Sequence, residues 1–262
     1  MEVRAKKALG QHFLTDSNIA RKIAYSLSGG SVESPADVLE VGCGTGMLTR
    51  FLLEREELRT FGAEIDGESI AYLREHYPDF AAGRLWKCDF LTMNLSERFP
   101  AGVKVIGNFP YNISSQIFFK IIENRDLVPE CVGMIQKEVA VRIAEKEGSR
   151  EYGILSVLLQ AWYDIEYLFT VNESVFNPPP KVKSAVIRLT RNATRHLDCD
   201  ELLFVKVVKA AFGQRRKMLR NPLRAAFGAF GGEEHRFFTM RAEQLSVADF
   251  VELTRWVAEH RN

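Results

Sequence analysis

A chain of 262 residues, 46% hydrophobic and 26% charged, can bury one large core or an ordinary domain with a smaller appendage, and this composition excludes a disordered or fibrous polymer. The formal net charge of +1 excludes attraction of a polyanion by the molecule as a whole, so any such affinity must come from local clustering of cations. Four widely spaced cysteines, Cys43, Cys88, Cys131 and Cys199, form no CxxC pair, which argues against a zinc knuckle or a disulfide framework and fits a reducing cytoplasm.

The opening MEVRAKKALGQHFL is charged and has no apolar run of signal-peptide length, and stretches such as Ile154–Leu159 are too short to span a bilayer. From about Ala36 to Leu189, short apolar strands alternate with amphipathic helices. Val38–Val41 reads as the first strand, with Gly42–Gly46 leading into a helix through Glu54. Thr60–Ile65 is the second strand, followed by a helix over Glu68–His76 that Pro78 closes. Arg84–Lys87 fits a third strand ending at Cys88-Asp89, and Val103–Gly107 a fourth, before a helix from Ser114 to Glu123. Val132–Ile135 and Glu138–Glu147 make a fifth unit. Repeated βα units of this size imply a parallel sheet covered on both faces. Gly153–Ala161 then reads as a helix, while Trp162–Val171 and Ala185–Leu189 are successive strands flanking Pro178-Pro179-Pro180, which suggests an added antiparallel hairpin. From Asp200 onward the spacing predicts only helices, over Leu202–Phe212, Met218–Phe227 and Val247–His260, with Gly231-Gly232 in a loop. The domain boundary accordingly falls near 195, with an N-terminal arm and α/β domain over 1–195 and a small helical domain over 196–262.

Charge is unevenly spread. Between Lys181 and Arg224 stand twelve Lys or Arg against three acidic residues, and the arm adds Arg4, Lys6 and Lys7. Such a local excess suits a phosphate backbone, although solvated helix faces give the same count.

The segment Glu40-Val-Gly-Cys-Gly-Thr-Gly46 follows a strand and opens a helix. Glycines at 42, 44 and 46 allow a tight turn and leave room for a ligand against the main chain, where helix N–H groups favour a carboxylate or phosphate. Glu64 ends the second strand, 22 residues beyond Gly42, where a carboxylate can accept both hydroxyls of a ribose; Asp89 ends the third, placed to accept from an adenine amine. Either acid could instead cap a helix. The spacing is GxGxG rather than the GxGxxG of dinucleotide enzymes, and no residues are set aside for a nicotinamide.

Asn108-Phe-Pro-Tyr111 comes directly after the fourth strand, at the same sheet edge. The Asn108 amide oxygen and a backbone carbonyl around Phe109-Pro110 can accept both hydrogens of a planar amine and localise its lone pair. Pro110 holds Phe109 extended, and Tyr111 can stack on a base taken out of its neighbours. The competing structural role is a turn in which Asn108 caps the helix starting near Ser114.

These residues, with Leu9-Gly-Gln-His-Phe-Leu14, the stretch Val175-Phe-Asn-Pro-Pro-Pro-Lys-Val-Lys-Ser-Ala185 and Phe212-Gly-Gln-Arg-Arg-Lys-Met-Leu-Arg-Asn221, resemble the ribosomal RNA adenine N6,N6-dimethyltransferase family, most of all its bacterial small-subunit dimethyladenosine transferases. The resemblance covers essentially the whole chain. It implies a Rossmann-like class I S-adenosylmethionine-dependent methyltransferase sheet with a small C-terminal helical domain, and S-adenosyl-L-methionine as cofactor. The implied reaction is transfer of four methyl groups to two adjacent adenosines in the 3′-terminal hairpin loop of small-subunit (16S) rRNA. The implied setting is an immature small subunit in the cytoplasm, with a monomeric enzyme needing neither metal nor membrane.

By the same resemblance His12 and Leu14 belong to an arm segment closing over the methionine part of the cofactor. Gly42, Gly44 and Gly46 form its glycine loop, Glu64 binds its ribose and Asp89 its adenine end. Asn108 holds the target amine and borders the cofactor, Pro110 shapes the reacting turn, and Phe109 and Tyr111 contact the target base. Phe176, which its own surroundings mark as a core residue, is assigned the opposite face of that base. Arg215, Arg216, Lys217 and Arg220 are the RNA-backbone candidates, with Met218 and Leu219 packing inward. Two positions depart from the family pattern, which more often has Asn where His12 stands and Leu where Phe109 stands. Alternatives are a resistance-type methyltransferase of large-subunit rRNA, methylation of DNA or protein glutamine, and a non-catalytic RNA-binding assembly factor.

Overall fold

The computed structural model describes residues 3–230 and 235–261, so the Gly231-Gly232 loop lies outside them. Among the described residues the strands are β1 (Phe13–Leu14), β2 (Ala36–Val41), β3 (Leu58–Glu64), β4 (Leu85–Lys87), β5 (Lys104–Asn108), β6 (Glu130–Gln136), β7 (Tyr163–Val171), β8 (Phe176–Asn177) and β9 (Ser184–Arg191). Seven of them form one sheet in the order β4-β3-β2-β5-β6-β9-β7. β2 through β6 pair in parallel, and β9 runs antiparallel to β6. Val38, Leu39, Val105, Ile106, Val132 and Met134 are wholly or almost wholly shielded, as strands covered on both faces require. Strand order reverses between β2 and β5, and a crevice opens beyond the carboxyl ends at such a switch point.

The two late strands are neighbours as expected, but β9 takes the inner place beside β6 and leaves β7 at the edge. Between them the chain leaves the sheet at β8, which pairs with β1 through Phe13↔Asn177 and Leu14↔Phe176. This short ladder fastens the N-terminal arm to the proline-rich loop. The arm continues into a helix, Ser17–Ala24, that the sequence reading leaves unassigned. Asp16 caps it by accepting from the N–H groups of Asn18 and Ile19, and Ala20, Ile23 and Ala24 bury its apolar stripe. Pro78 does more than close a helix, since it opens the next one, Pro78–Ala81, at a position where its missing N–H is harmless.

A single cut near 195 is not how the chain divides. One compact unit runs to Ala140 and resumes over Glu166–Arg191; the other takes Val141–Ile165 and everything from Asn192. The helix Ile154–Gln160 packs on Glu201–Gly213 and Val247–His260, which draws its segment into the helical unit. Tyr152, Phe212 and Phe250 form an aromatic line there, with ring centroids 6.2 and 6.0 Å apart. No helix among the described residues is long and apolar enough to cross a membrane.

Candidate active site

The crevice at the switch point is walled by Ala8–Phe13 of the arm, Gly42 and Gly44, Glu64-Ile65, Cys88–Leu91 and Asn108–Ile113. Six of these positions, His12, Gly42, Gly44, Glu64, Asp89 and Asn108, are the cofactor contacts expected from the sequence, and the fold brings all six to one cleft. The sequence reading leaves Phe13 and Gln11 without a role, because nothing in sequence alone shows that the arm folds back across the sheet edge.

The three loop glycines serve different ends. Gly42 has φ +77°, and a Cβ built there would meet nothing within 4 Å, so the open cleft lies directly against its backbone. Gly46 also has φ +77°, yet its missing Cβ makes room for the Tyr77 ring, 2.6 Å away, and it lies outside the cleft. Gly46 therefore serves the packing of Tyr77 and stands outside the cleft wall. The helix expected directly after the loop starts only at Thr49 and ends at Leu53. Gly44 accordingly turns its N–H to the Glu64 carboxylate, 2.8 Å away, rather than leaving it for an anion.

Glu64 is almost wholly buried and accepts two further N–H groups, from Ile65 at 2.9 Å and Asp66 at 2.8 Å. Burial pushes its carboxyl above the usual carboxylate range, while those three N–H groups pull it back. Oε1 holds two donors and Oε2 one, so Oε2 keeps a lone pair for a hydroxyl in the cleft. Asp89 both caps and faces the cleft: Oδ1 accepts from Leu91 N–H at 2.9 Å, leaving the other oxygen open. A flat backbone face at Gly42 and two acids on adjacent strand ends, each with acceptor capacity left, fit an adenosine and its ribose.

Glu40, unassigned in the sequence reading, is buried beneath the loop and accepts from the Thr49 hydroxyl at 2.6 Å, tying β2 to the helix beyond the glycines. Desolvation pushes its carboxyl up to about 7. The folded protein thus holds this proton to higher pH than the unfolded chain, so stability is fullest below the unfolded value of 4.5 and falls as pH climbs towards 7. In urea titrations across about pH 5 to 8, Glu40→Gln should remove part of this decline, and an unchanged slope would clear Glu40 of it.

In the reacting tetrad, Asn108 Nδ2 donates to the His12 carbonyl at 2.9 Å. Only the NH2 group can make that bond, so the amide is oriented with Oδ1 as its remaining acceptor. Pro110 gives its carbonyl to Ile113 N–H at 3.2 Å, which makes Phe109 the better source of the second acceptor. The Phe109 ring itself is 1% exposed, slotted where a Cβ on Gly133 would stand 2.5 Å away, so it touches core and contributes only backbone to the cleft. Tyr111 is half-buried; its hydroxyl bonds to Ser184 Oγ at 2.5 Å and its ring stacks on His12 with centroids 5.4 Å apart. His12 Nδ1 lies 2.8 Å from the Pro178 carbonyl, which assigns it a proton there.

Other expected contacts take different places. Leu14 and Phe176 face each other across β1 and β8 inside the hydrophobic core at 5% and 4% exposure, and neither lines the cleft. Strand pairing fixes their direction: alternation that points Phe13 to the cleft points Leu14 inward. Met218 is exposed, whereas Leu219 is buried as expected, because the basic stretch is a turn between helices rather than a helix face. Arg215 is spent on structure, its guanidinium donating to the carbonyls of Tyr152, at 2.8 Å, and Arg150. Arg216 and Lys217 are exposed, and Arg220 is half-buried. At the other end of the arm Lys6 forms ion pairs with Asp66 and Glu68, the latter at 3.1 Å. Among the described residues no group of three or more His, Cys, Asp or Glu is arranged to hold a metal ion.

Known proteins bear on this arrangement. The ribosomal RNA adenine dimethylase family matches residues 2–259. The ribosomal RNA small subunit methyltransferase A of Bacteroides thetaiotaomicron is 56% identical over 259 residues, covering 98% of this chain and 95% of its own. Its counterpart in Porphyromonas gingivalis is 55% identical over 258 residues, covering 97% and 98%. A crystal structure of a dimethyladenosine transferase from Plasmodium falciparum superposes with a TM-score of 0.76 at 25% identity, over 95% of this chain and 98% of that one. The 23S rRNA methyltransferase ErmE shares the fold, with a TM-score of 0.68 at 24% identity over 93% and 99%. Matched from end to end by one family and by relatives identical at more than half of their positions, this chain belongs to the ribosomal RNA adenine dimethylase family of methyltransferases.

Proposed function

We propose that this chain transfers methyl groups from S-adenosylmethionine to N6 of two adjacent adenosines in the 3′-terminal hairpin loop of small-subunit (16S) rRNA. It acts as a cytoplasmic monomer on an immature small subunit. The observation that carries the reading is the Asn108 amide, oriented by the His12 carbonyl so that its oxygen is the free acceptor, beside a cleft that fits an adenosine. The small-subunit assignment rests on relatives 55% and 56% identical that bear that name, against 24% identity to the 23S enzyme.

S-adenosylmethionine, when bound, supplies an electrophilic methyl group on a sulfonium; Glu64 would hold its ribose, Asp89 its adenine edge and Gly42 its backbone face. The protein's own work is positioning. N6 of adenine is a weak nucleophile because its lone pair is shared with the ring. Asn108 Oδ1 and the Phe109 carbonyl accept the two N6 hydrogens, which localises that lone pair and favours the positive charge that develops on nitrogen. Tyr111, fixed by Ser184, supports the face of the base. No general base is needed, since the N6 proton can pass to water after transfer, and alignment is the main contribution.

The deciding experiment treats unmethylated small subunits with enzyme and labelled cofactor and maps the modified nucleosides. Dimethyladenosine at two adjacent positions near the 3′ end is expected; label confined to large-subunit rRNA or to DNA would defeat the assignment. RNA affinity should rest on Arg216 and Lys217. Replacing both with alanine should reduce the slope of log K against log salt by roughly one for each phosphate that is no longer neutralised. Arg215→Ala should instead lower the unfolding midpoint, because it unties the Tyr152 and Arg150 carbonyls. Equal salt slopes in wild type and double variant would remove these two residues from the RNA face.

A further inference from the structure

A second cleft shares Gly10, Gln11, His12 and Tyr111 with the candidate active site, so the stacked His12 and Tyr111 rings border both. Its other walls are Ala5, Lys7, Gln136, Pro178–Pro180, Lys181 and Val182, and its volume of about 430 Å³ lies within the range of small-molecule pockets. No acidic side chain lines it, whereas Lys7 and Lys181 are exposed. Pro178, Pro179 and Val182 offer exposed apolar faces, and the Gln136 amide stands at the end of β6, in the strand beside the one that ends in Asn108.

We propose that this cleft is a subsite for the nucleotide adjoining the reacting one. A strand that sends one base to Asn108 must run on past the shared rings. Its next base then meets flat apolar surface, an amide able to bond a base edge, and cations but no anions for the linking phosphodiester. Continuity with the reacting cleft and this one-sided charge favour an RNA neighbour over any acidic or purely apolar occupant. The His12–Tyr111 pair is the divider: one ring borders the reacting base and the other its neighbour. The assignment rests on the adenosine reading of the first cleft and adds a specificity-determining site to it.

The test uses immature small subunits reconstituted on rRNA whose 3′-terminal hairpin is intact or carries an abasic residue immediately 5′ or 3′ of the reacting adenosine. With wild-type enzyme, an abasic residue on one side should raise KM for the subunit about tenfold with little change in kcat, the size expected when one stacking partner is removed. Gln136→Ala should raise KM for the intact subunit and lose most of its sensitivity to that same abasic residue, with cofactor affinity unchanged. Lys181→Glu, at an exposed position, should weaken binding to intact subunits in fluorescence anisotropy without cofactor. If wild type transfers to intact subunits but neither abasic residue matters, or if the Gln136 and abasic effects simply multiply, the subsite is wrong while the adenosine reading stands. If wild type transfers to no subunits, both fall.

Discussion

Replacing Asn108 with alanine is expected to slow single-turnover methyl transfer by about 10²–10³-fold, the loss that follows removal of one positioned hydrogen-bonding group from a charge-stabilising site. Cofactor affinity should fall much less. The same side chain holds the arm through its bond to the His12 carbonyl, and one such part-buried bond contributes about 1 kcal/mol, less than tenfold in affinity. Asn108→Asp separates the two duties. It keeps an acceptor for the amine but cannot donate to the His12 carbonyl, and it sets a negative charge against that oxygen. It should therefore loosen the arm more than alanine does, with the larger rise in cofactor dissociation constant and the smaller loss in the chemical step. Rates at saturating cofactor, with binding measured separately, would show this. Equal losses of binding and rate in Asn108→Ala would mean that the side chain serves the arm alone.

Much of this site is legible because strand ends are. The acids and amide at 64, 89 and 108 each close an apolar run, and a parallel sheet puts such positions on one edge whatever the loops do. The switch between β2 and β5 is not legible in that alternation, which leaves strand order open. What escaped are features set by tertiary closure. The pairing of β1 with β8 joins residues more than 160 positions apart, and no local pattern announces a two-residue ladder. Once it forms, it buries the side chains of Leu14 and Phe176 together, outside the cleft wall to which motif resemblance assigns them. The helix Ser17–Ala24 is different: the Asp16 cap and the Ile19–Ile23 and Ala20–Ala24 spacing were readable, but eight residues give only two turns of signal. Arg215 shows the limit of counting charge, since its guanidinium is spent on carbonyls that only the fold brings near. The division of the chain near 141–165 was hidden for a related reason: a helix carries its apolar stripe in sequence, but not the identity of the helices it packs against.

Glu64 should prove the least replaceable acid of the cleft, and its two simplest variants fail for different reasons. Alanine leaves the N–H groups of Gly44, Ile65 and Asp66 without their acceptor, and the two buried ones, Gly44 and Asp66, each cost about 1–3 kcal/mol before water or relaxation relieves them. Glu64→Ala is therefore expected to lower the thermal midpoint as well as to weaken S-adenosylhomocysteine binding by at least about 10²-fold. Glutamine keeps the shape but only one acceptor oxygen. Placed on the Ile65 and Asp66 N–H groups, its oxygen leaves the NH2 facing Gly44 N–H, donor against donor, at the turn that presents Gly42 to the cleft. Reversed, it sets the NH2 against two N–H groups. Either way the loop must open, so Glu64→Gln should lose most of the affinity lost by alanine, although it removes no atoms from the cleft. Calorimetric titration of both variants with S-adenosylhomocysteine, beside their melting curves, decides the matter. A Glu64→Gln protein that binds like wild type would show that the carboxylate is needed neither to hold the glycine turn nor to meet the ribose, and the cleft's adenosine end would have to be sought elsewhere along the sheet edge.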